Sequence, residues 1–318
     1  MTYHKQRDLK TLESLDKMVA QLPRFCSRFF LGVSQKTTPL TRLGYAGELR
    51  SFFNYLVCEH ESFQGKQFSK IEVGDLEVLE VQDIELFVAS LHGNSNASKQ
   101  RKLCVLRSFF AYLFKVGLIT RNIMPNIDLP KIKEKPIIRL SQPEISAMLG
   151  SAGLEAEKKQ SLRDETILVL FLSTGIRVSE LVGLDVSDID LESSSFKVTR
   201  KGGIQTILFL PDQCAEQLKA YLKDLNQGPL FRTTTGKRLG VRTIQKIVKH
   251  YASDAVPLKN ITPHKLRSTF GTNLYRATGD IYVVADVLGH KDVNTTKKHY
   301  AAISDDIRKE AAKHVKLY

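Results

Sequence analysis

Six side chains in the C-terminal half of this 318-residue chain stand in short, separated blocks whose residue types suit one chemistry. Arg177 lies in Thr174-Gly-Ile-Arg-Val-Ser-Glu-Leu181 and Lys201 in Arg200-Lys-Gly-Gly203. His264 and Arg267 share His264-Lys-Leu-Arg267, and His290 closes Leu288-Gly-His290, ten residues before Tyr300. Four cationic or imidazole motifs that lead to one phenol make a set for attacking a phosphodiester without a metal ion. The anionic oxygens of a phosphodiester repel a nucleophile, and the charge that grows in the transition state must meet fixed donors. A guanidinium stays charged and offers a rigid fork to two oxygens at once, so Arg177 and Arg267 are the candidate pair for the non-bridging oxygens. A phenolic oxygen can form a covalent ester that keeps the energy of the cleaved bond for resealing, and Tyr300 is the candidate nucleophile. With a pKa of about 10, roughly one phenol in a thousand is ionised at neutral pH, so an acceptor and an electropositive pocket must help it. His264 is the candidate acceptor, and Lys201, in a Gly-rich turn, is the candidate acid for the departing 5′-oxygen. His290 would hydrogen-bond a phosphate oxygen in support. This reading calls for no cofactor and no metal ion.

These blocks resemble the tyrosine recombinases, the family of Xer proteins, phage integrases and Cre-like enzymes, and the resemblance covers nearly the whole chain. The family pattern is an Arg in T-G-x-R-x-x-E-L, a Lys in a β-hairpin turn, an H-x-x-R pair, a His after L-G and a Tyr nine or ten residues on. Each has one counterpart here. The resemblance implies Arg177 and Arg267 on the phosphate, Lys201 as acid, His264 near the nucleophile's proton, His290 as supporting donor and Tyr300 as the attacking group. Glu180 matches the acidic position that orients the first arginine. One departure concerns the hairpin, usually G-K-G-N-K-x-R, which here reads Arg200-Lys-Gly-Gly-Ile-Gln-Thr206. Lys201 therefore remains the clearest acid and Arg200 the second choice.

The elements that must position these residues are legible in part. Leu43, Leu49, Phe52, Phe53 and Leu56 recur at helical spacing, as do Leu103, Leu106, Phe109, Phe110 and Leu113, which predicts core faces of a small helical domain. Between them an acid-only run, Glu72, Asp75, Glu77, Glu80, Asp83 and Glu85, reads as a solvated helix face and not as a metal site. Lys99, Arg101, Lys102 and Arg107 follow on a helix beginning near Ser98, and the resemblance implies that this helix faces DNA. Pro125, Pro130 and Pro136 forbid a continuous helix and mark a boundary. The expected division is a helical DNA-binding domain over 1–130, a linker over 131–140 and a catalytic domain over 141–318. In the latter, Ser141-Gln-Pro-Glu144 matches a capping box, and residues 162–174 read as an apolar helix. Segments 195–200 and 205–210 form an expected β-hairpin around Lys201, and Thr262-Pro-His264 opens a helix with His264 and Arg267 on one face. The expected fold is mainly α with a small antiparallel β-sheet: a helical N-terminal core-binding domain and an α+β catalytic domain of the tyrosine recombinase type.

Composition agrees. The formal charge is +13 and the pI near 9.5. Residues 1–137 carry 20 bases and 14 acids, hence 20 − 14 = +6, and residues 138–318 carry 27 and 20, hence 27 − 20 = +7. Basic surface on both halves suits a polyanion, since phosphate neutralisation and counterion release supply most non-specific DNA affinity. Cys26, Cys58, Cys104 and Cys214 form no C-x-x-C pair or metal spacing and are expected to be reduced and buried. The polar start Met1-Thr-Tyr-His-Lys-Gln-Arg7 has no signal-peptide pattern, and no apolar run approaches the roughly 18 residues of a membrane span, so a cytoplasmic, nucleoid-associated protein is expected.

The expected activity is that of a site-specific DNA recombinase which cuts and rejoins two double-stranded sites through a 3′-phosphotyrosyl link and a Holliday junction, in integration, excision or resolution. The resemblance implies a homotetramer whose C-terminal tail, Ser304 onward with an apolar edge at Ile307, Ala311 and Val315, docks on a neighbouring subunit. A tail packing on its own domain is the alternative. For the activity, the alternatives are DNA relaxation of the type IB topoisomerase kind and a DNA-bound accessory protein that has lost cutting. All six candidate residues are present, which disfavours the last.

Overall fold

Apolar residues repeated at helical spacing do sit on helices. The computed structural model describes residues 3–132, 138–154, 159–200, 202–290 and 292–293, and the chain divides into two units, Met1–Glu134 and Lys135–Tyr318.

The first unit contains α1 (Tyr3–Val19), α2 (Cys26–Gly32), α3 (Pro39–Glu59), α4 (Val81–Ser90) and α5 (Asn96–Lys115). Thr38 caps α3 by accepting from the Thr41 N–H, with Pro39 in the first turn. Ser95 caps α5 by accepting from the Ser98 N–H at 3.3 Å, so this helix starts ahead of the expected Ser98. Leu49, Phe52, Phe53 and Leu56 of α3 are buried, as are Leu103, Leu106, Phe109, Phe110 and Leu113 of α5. Leu43 is only partly covered. Phe109 meets Phe29 edge-on with centroids 5.2 Å apart and Phe53 at 6.3 Å, a geometry that adds about 0.5–1.5 kcal/mol per pair beyond area burial.

The acid run departs from expectation. It is divided between a 3₁₀ turn (Val73–Val78) and α4, and its carboxylates serve as local fasteners. Asp75 accepts from the Glu72 N–H at 2.9 Å and Asp83 from the Glu80 N–H at 2.8 Å. Glu77 accepts from the Thr120 N–H, and Glu80 pairs with Arg121 at 2.7 Å. Two closely spaced helix starts leave backbone N–H groups that need acceptors, and acids three residues along supply them.

The second unit runs α6 (Gln142–Leu154), α7 (Lys159–Thr174), α8 (Val178–Gly183), β1 (Ile189–Asp190), β2 (Ser195–Thr199), β3 (Gln205–Phe209), α9 (Asp212–Leu222), α10 (Val241–Ala255), α11 (Pro263–Thr278) and α12 (Ile281–Leu288). The Ser141 N–H donates to Glu144 at 2.7 Å, one half of the expected capping box, and Glu144 also pairs with Lys259 at 2.7 Å. In α7, Ile167, Leu168, Leu170 and Phe171 are all fully buried because the helix packs against α6, α9 and α11. The sheet is antiparallel in the order β1-β2-β3, with Lys197 opposite Ile207 and Thr199 opposite Gln205. Phe196 and Val198 alternate inward on β2. The two-residue β1 is too short to show alternation and was not expected. The chain is thus mainly helical with one small antiparallel sheet, as its sequence predicts.

Two of the four cysteines depart from expectation: Cys26 and Cys214 are buried, whereas Cys58 and Cys104 are exposed. Burial pushes the Cys214 thiol up to about 12, which keeps it protonated and inert. Among the described residues, no helix is long and apolar enough to cross a membrane.

Candidate active site

The Thr174-Gly-Ile-Arg block has a mechanical reading in three dimensions. The helix α7 ends where Gly175 turns left-handed at φ +61°, and a Cβ there would lie 2.4 Å from the Phe270 ring. Only glycine fits that turn and that approach. The turn places Arg177 immediately before α8, with its N–H on Glu180 Oε2 at 3.0 Å and its Nη1 on Oε1 at 2.8 Å. Glu180 is 4% exposed, so one buried carboxylate both caps α8 and holds the guanidinium that follows the turn.

The Leu288-Gly-His block ends α12. Gly289 adopts φ +61°, its N–H bonds the Asp286 carbonyl at 2.8 Å and the His290 N–H bonds the Ala285 carbonyl at 2.9 Å. This crossed pair is the usual way a glycine closes a helix, and the last carbonyls of such a helix lack helical donors. Arginines from three other places take them. Arg177 Nη2 donates to the Gly289 carbonyl at 3.1 Å, Arg267 Nη2 to the Leu288 carbonyl and Arg200 Nη2 to the Val287 carbonyl at 2.9 Å. Arg267 Nη1 also donates to the Gly175 carbonyl at 2.6 Å. The partial negative charge at a helix C-terminus favours cations at this place.

On α11, which starts after Thr262 with Pro263 in its first turn, His264 is exposed and Arg267 is buried at 7% exposure. The spacing predicts a shared face, yet the imidazole lies on the surface and the guanidinium inside. His290 is partly buried just beyond α12. The structure therefore brings Arg177, Glu180 and Arg267 together at the end of α12, with His290 next in sequence. Lys201, Tyr300 and the tail from Ser304 lie outside the described residues, as do 133–137 of the linker.

Sequence reasoning undervalued Arg200, ranked only as a second choice of acid. Its side chain lies against Gly289, where an added Cβ would sit 2.1 Å from Nη1. Burial lowers its basicity first; Glu180 and Asp286 oppose that effect, and the neighbouring Arg177 adds to it. No local pattern signals a contact between residues 87 positions apart.

The α5 bases are used unevenly. Lys102 Nζ donates to Glu48 at 2.5 Å and to Ser51 at 3.3 Å, and Arg107 is held on the Ile127 carbonyl. Arg101 is 65% exposed in its side chain and lies 3.4 Å from Glu48, and Lys99 is partly buried. Among the described residues no group of three or more His, Cys, Asp or Glu is arranged to hold a metal ion.

Comparison with known proteins identifies the class. Residues 139–306 match the model of the phage integrase family. The chain is 33% identical over 270 residues to tyrosine recombinase XerC of Thermodesulfovibrio yellowstonii, covering 81% of this chain and 84% of that one. It is 30% identical over 280 residues to the XerC of Pelobacter propionicus, covering 86% and 88%. Among solved structures it resembles the Tn1549 transposon integrase in complex with transposon right end DNA, with a TM-score of 0.67, 18% identity and coverage of 91% and 98%. The lambda integrase dimer bound to a COC′ core site gives a TM-score of 0.65 at 19% identity, covering 93% and 97%. At these identities the structural likeness speaks for the fold. The chain belongs to the phage integrase family and is a tyrosine recombinase of the Xer type.

Proposed function

We propose that this protein cuts and rejoins double-stranded DNA at specific sites by transesterification at Tyr300. The observation that carries this reading is the convergence of Arg177, just ahead of α8, and Arg267, on α11, on adjacent carbonyls at the end of α12. Two guanidiniums held in place, Arg267 by two carbonyls and Arg177 by Glu180 and one carbonyl, are preorganised donors, which is what a phosphoryl transition state needs. Arg177 and Arg267 bind the non-bridging oxygens, with Glu180 orienting Arg177 and His290 donating in support. The phenolic oxygen of Tyr300 attacks phosphorus as the bond to the 5′-oxygen breaks. The phenol proton passes to His264, and Lys201 protonates the departing oxygen. The result is a 3′-phosphotyrosyl link and a free 5′-hydroxyl; attack by the 5′-hydroxyl of a partner strand reverses the step and leads through a Holliday junction.

The fold is shared with integrases solved as DNA complexes, and the chain carries +13. Both facts support duplex DNA as the partner. In this reading 1–130 is the core-binding domain, 131–140 the linker and 141–318 the catalytic domain, with Lys99, Arg101, Lys102 and Arg107 facing the duplex. Four protomers act on two sites, and the tail beyond Ser304 docks between them. The work is done on DNA in the cytoplasm.

The deciding experiment uses a nicked suicide duplex, built on the sequence the protein selects from a random pool, in excess EDTA. Wild type should become covalently linked to DNA and Tyr300→Phe should not. Capture that requires added Mg²⁺, or that persists in Tyr300→Phe, would overturn the mechanism. Relaxation of supercoiled DNA without exchange between two sites would instead assign the chemistry to a topoisomerase-like role.

A further inference from the structure

We infer that Arg200 is a third arginine of the phosphate site, supplying positive charge to the scissile phosphate beside the pair formed by Arg177 and Arg267. The inference rests on the phosphate-site reading of that pair and extends it to a residue outside the six motif positions.

The residue type at position 200 departs from the usual hairpin pattern. Arg200 stands just past the end of β2, where the usual hairpin pattern has glycine before the lysine. Its Nη2 takes the Val287 carbonyl at 2.9 Å, so three guanidiniums occupy three successive carbonyls, Val287, Leu288 and Gly289. In this position the guanidinium occupies the space that a Cβ at 289 would take, 2.1 Å from Nη1. A glycine that the helix end already requires thus also makes room for a cation.

The guanidinium of Arg200 has no carboxylate hydrogen-bonded to it among the described residues. Among the described residues its buried Nε has no acceptor, and the one hydrogen bond of its guanidinium goes to a neutral carbonyl. Glu180 and Asp286 act on it only at longer range, and Glu180 is already hydrogen-bonded to Arg177. A half-buried guanidinium beside a like charge is costly unless an anion arrives, because burial penalises charge and Arg177 repels it. A phosphate set against Arg177 and Arg267 would provide that anion. Arg200 would then contribute through its charge, at a range where one unit charge in a partly dry pocket still counts.

The test separates charge from scaffolding. Suicide duplexes carry either the natural phosphodiester or a methylphosphonate at the scissile position, where a methyl group replaces one non-bridging oxygen and removes the charge. Covalent capture is measured for wild type, Arg200→Ala, Arg200→Lys, Arg200→Gln and, as reference, Arg177→Ala. On the phosphodiester, Arg200→Ala and Arg200→Gln should be slower by about 10- to 100-fold, and Arg200→Lys by less than about tenfold. On the neutral duplex the Arg200 variants should come within about threefold of wild type, and the Arg177→Ala deficit should shrink as well. Arg200→Gln keeps a donor for the Val287 carbonyl, so it serves as the neutral variant if Arg200→Ala fails to fold. Equal deficits on both duplexes for Arg200 variants, with the Arg177→Ala deficit relieved, would make Arg200 a structural residue and overturn the inference alone. Unrelieved deficits for both would remove the phosphate-site reading and the inference with it. Should wild type not cleave the neutral duplex, the same comparison is made on affinity in the Tyr300→Phe background. Loss of the phosphate charge must then weaken binding more with Arg200 than with Arg200→Gln, and equal weakening overturns the inference.

Discussion

Lys102 on α5 and Arg200 past β2 are both partly buried cations, and they end in opposite states. Lys102 donates to the Glu48 carboxylate, which neutralises it, and to the Ser51 hydroxyl, and both bonds tie α5 to α3. Arg200 donates to the Val287 carbonyl, which orients the guanidinium without cancelling its charge. The same contrast separates the acid run near α4 from the end of α12. In the first place carboxylates satisfy helix N–H groups and nearby bases; in the second, helix carbonyls hold three arginines, with one carboxylate, Glu180, on Arg177. Lys102 therefore has its counter-charge within the fold, whereas the acceptor that holds Arg200 is neutral.

The largest test of that contrast is Arg267→Ala, which empties the position between the Gly175 and Leu288 carbonyls. Covalent capture of DNA should fall roughly 100- to 1000-fold, the usual consequence of losing one oriented donor. Arg267→Lys should rescue little of this, because an ammonium cannot span two carbonyls as a planar fork does. Full activity of the lysine variant would show that only charge counts there.

Gly289→Ala is next. It combines a left-handed backbone with a Cβ 2.1 Å from the Arg200 guanidinium. We expect a stability loss of about 1–2 kcal/mol in denaturant titration, together with a cleavage defect of about tenfold from displaced Arg200. By contrast, Gly202→Ala meets no atom within 4 Å and should show backbone strain alone.

On α5 the contrast predicts a division of labour. Lys102→Ala leaves Glu48 with one fewer partner and should cost about 1 kcal/mol of stability, with DNA affinity changed less than in Arg101→Ala. Arg101→Ala should leave the melting temperature nearly unchanged and reduce the salt slope of DNA binding by about one. The opposite pattern would exchange their roles.

The smallest effect concerns Glu144, which Lys259 first and then the Ser141 N–H hold below the usual carboxylate range. A depressed folded pKa contributes stability above the unfolded value of about 4.3, and that contribution disappears as pH falls through the folded value. Glu144→Gln should therefore be slightly less stable at pH 7, and its deficit should close on acidification. A deficit that persists at pH 3 would mean the pair stabilises by packing alone.

Sequence patterns were most informative where the physics is local. Helical spacing of leucines and phenylalanines predicts the cores of α3 and α5, the capping pattern at Ser141 predicts the start of α6, and alternation predicts β2 and β3. It also made Arg177, Glu180, Arg267 and His290 visible as candidates, because each stands in a motif whose glycine or cap has a short-range cause. The exposure of Cys58 and Cys104, and the use of the acid run as fasteners, escaped it because both depend on which faces pack.

By itself the amino-acid order determined which segments are helical, which family the chain joins and which side chains are candidates for chemistry. Only the tertiary structure decided that Arg200 joins Arg177 and Arg267 at the end of α12 while Lys102 is neutralised by Glu48. Helix periodicity and capping are set by residues three or four apart, whereas the acceptor a buried cation meets is set by the packing of elements tens of residues apart.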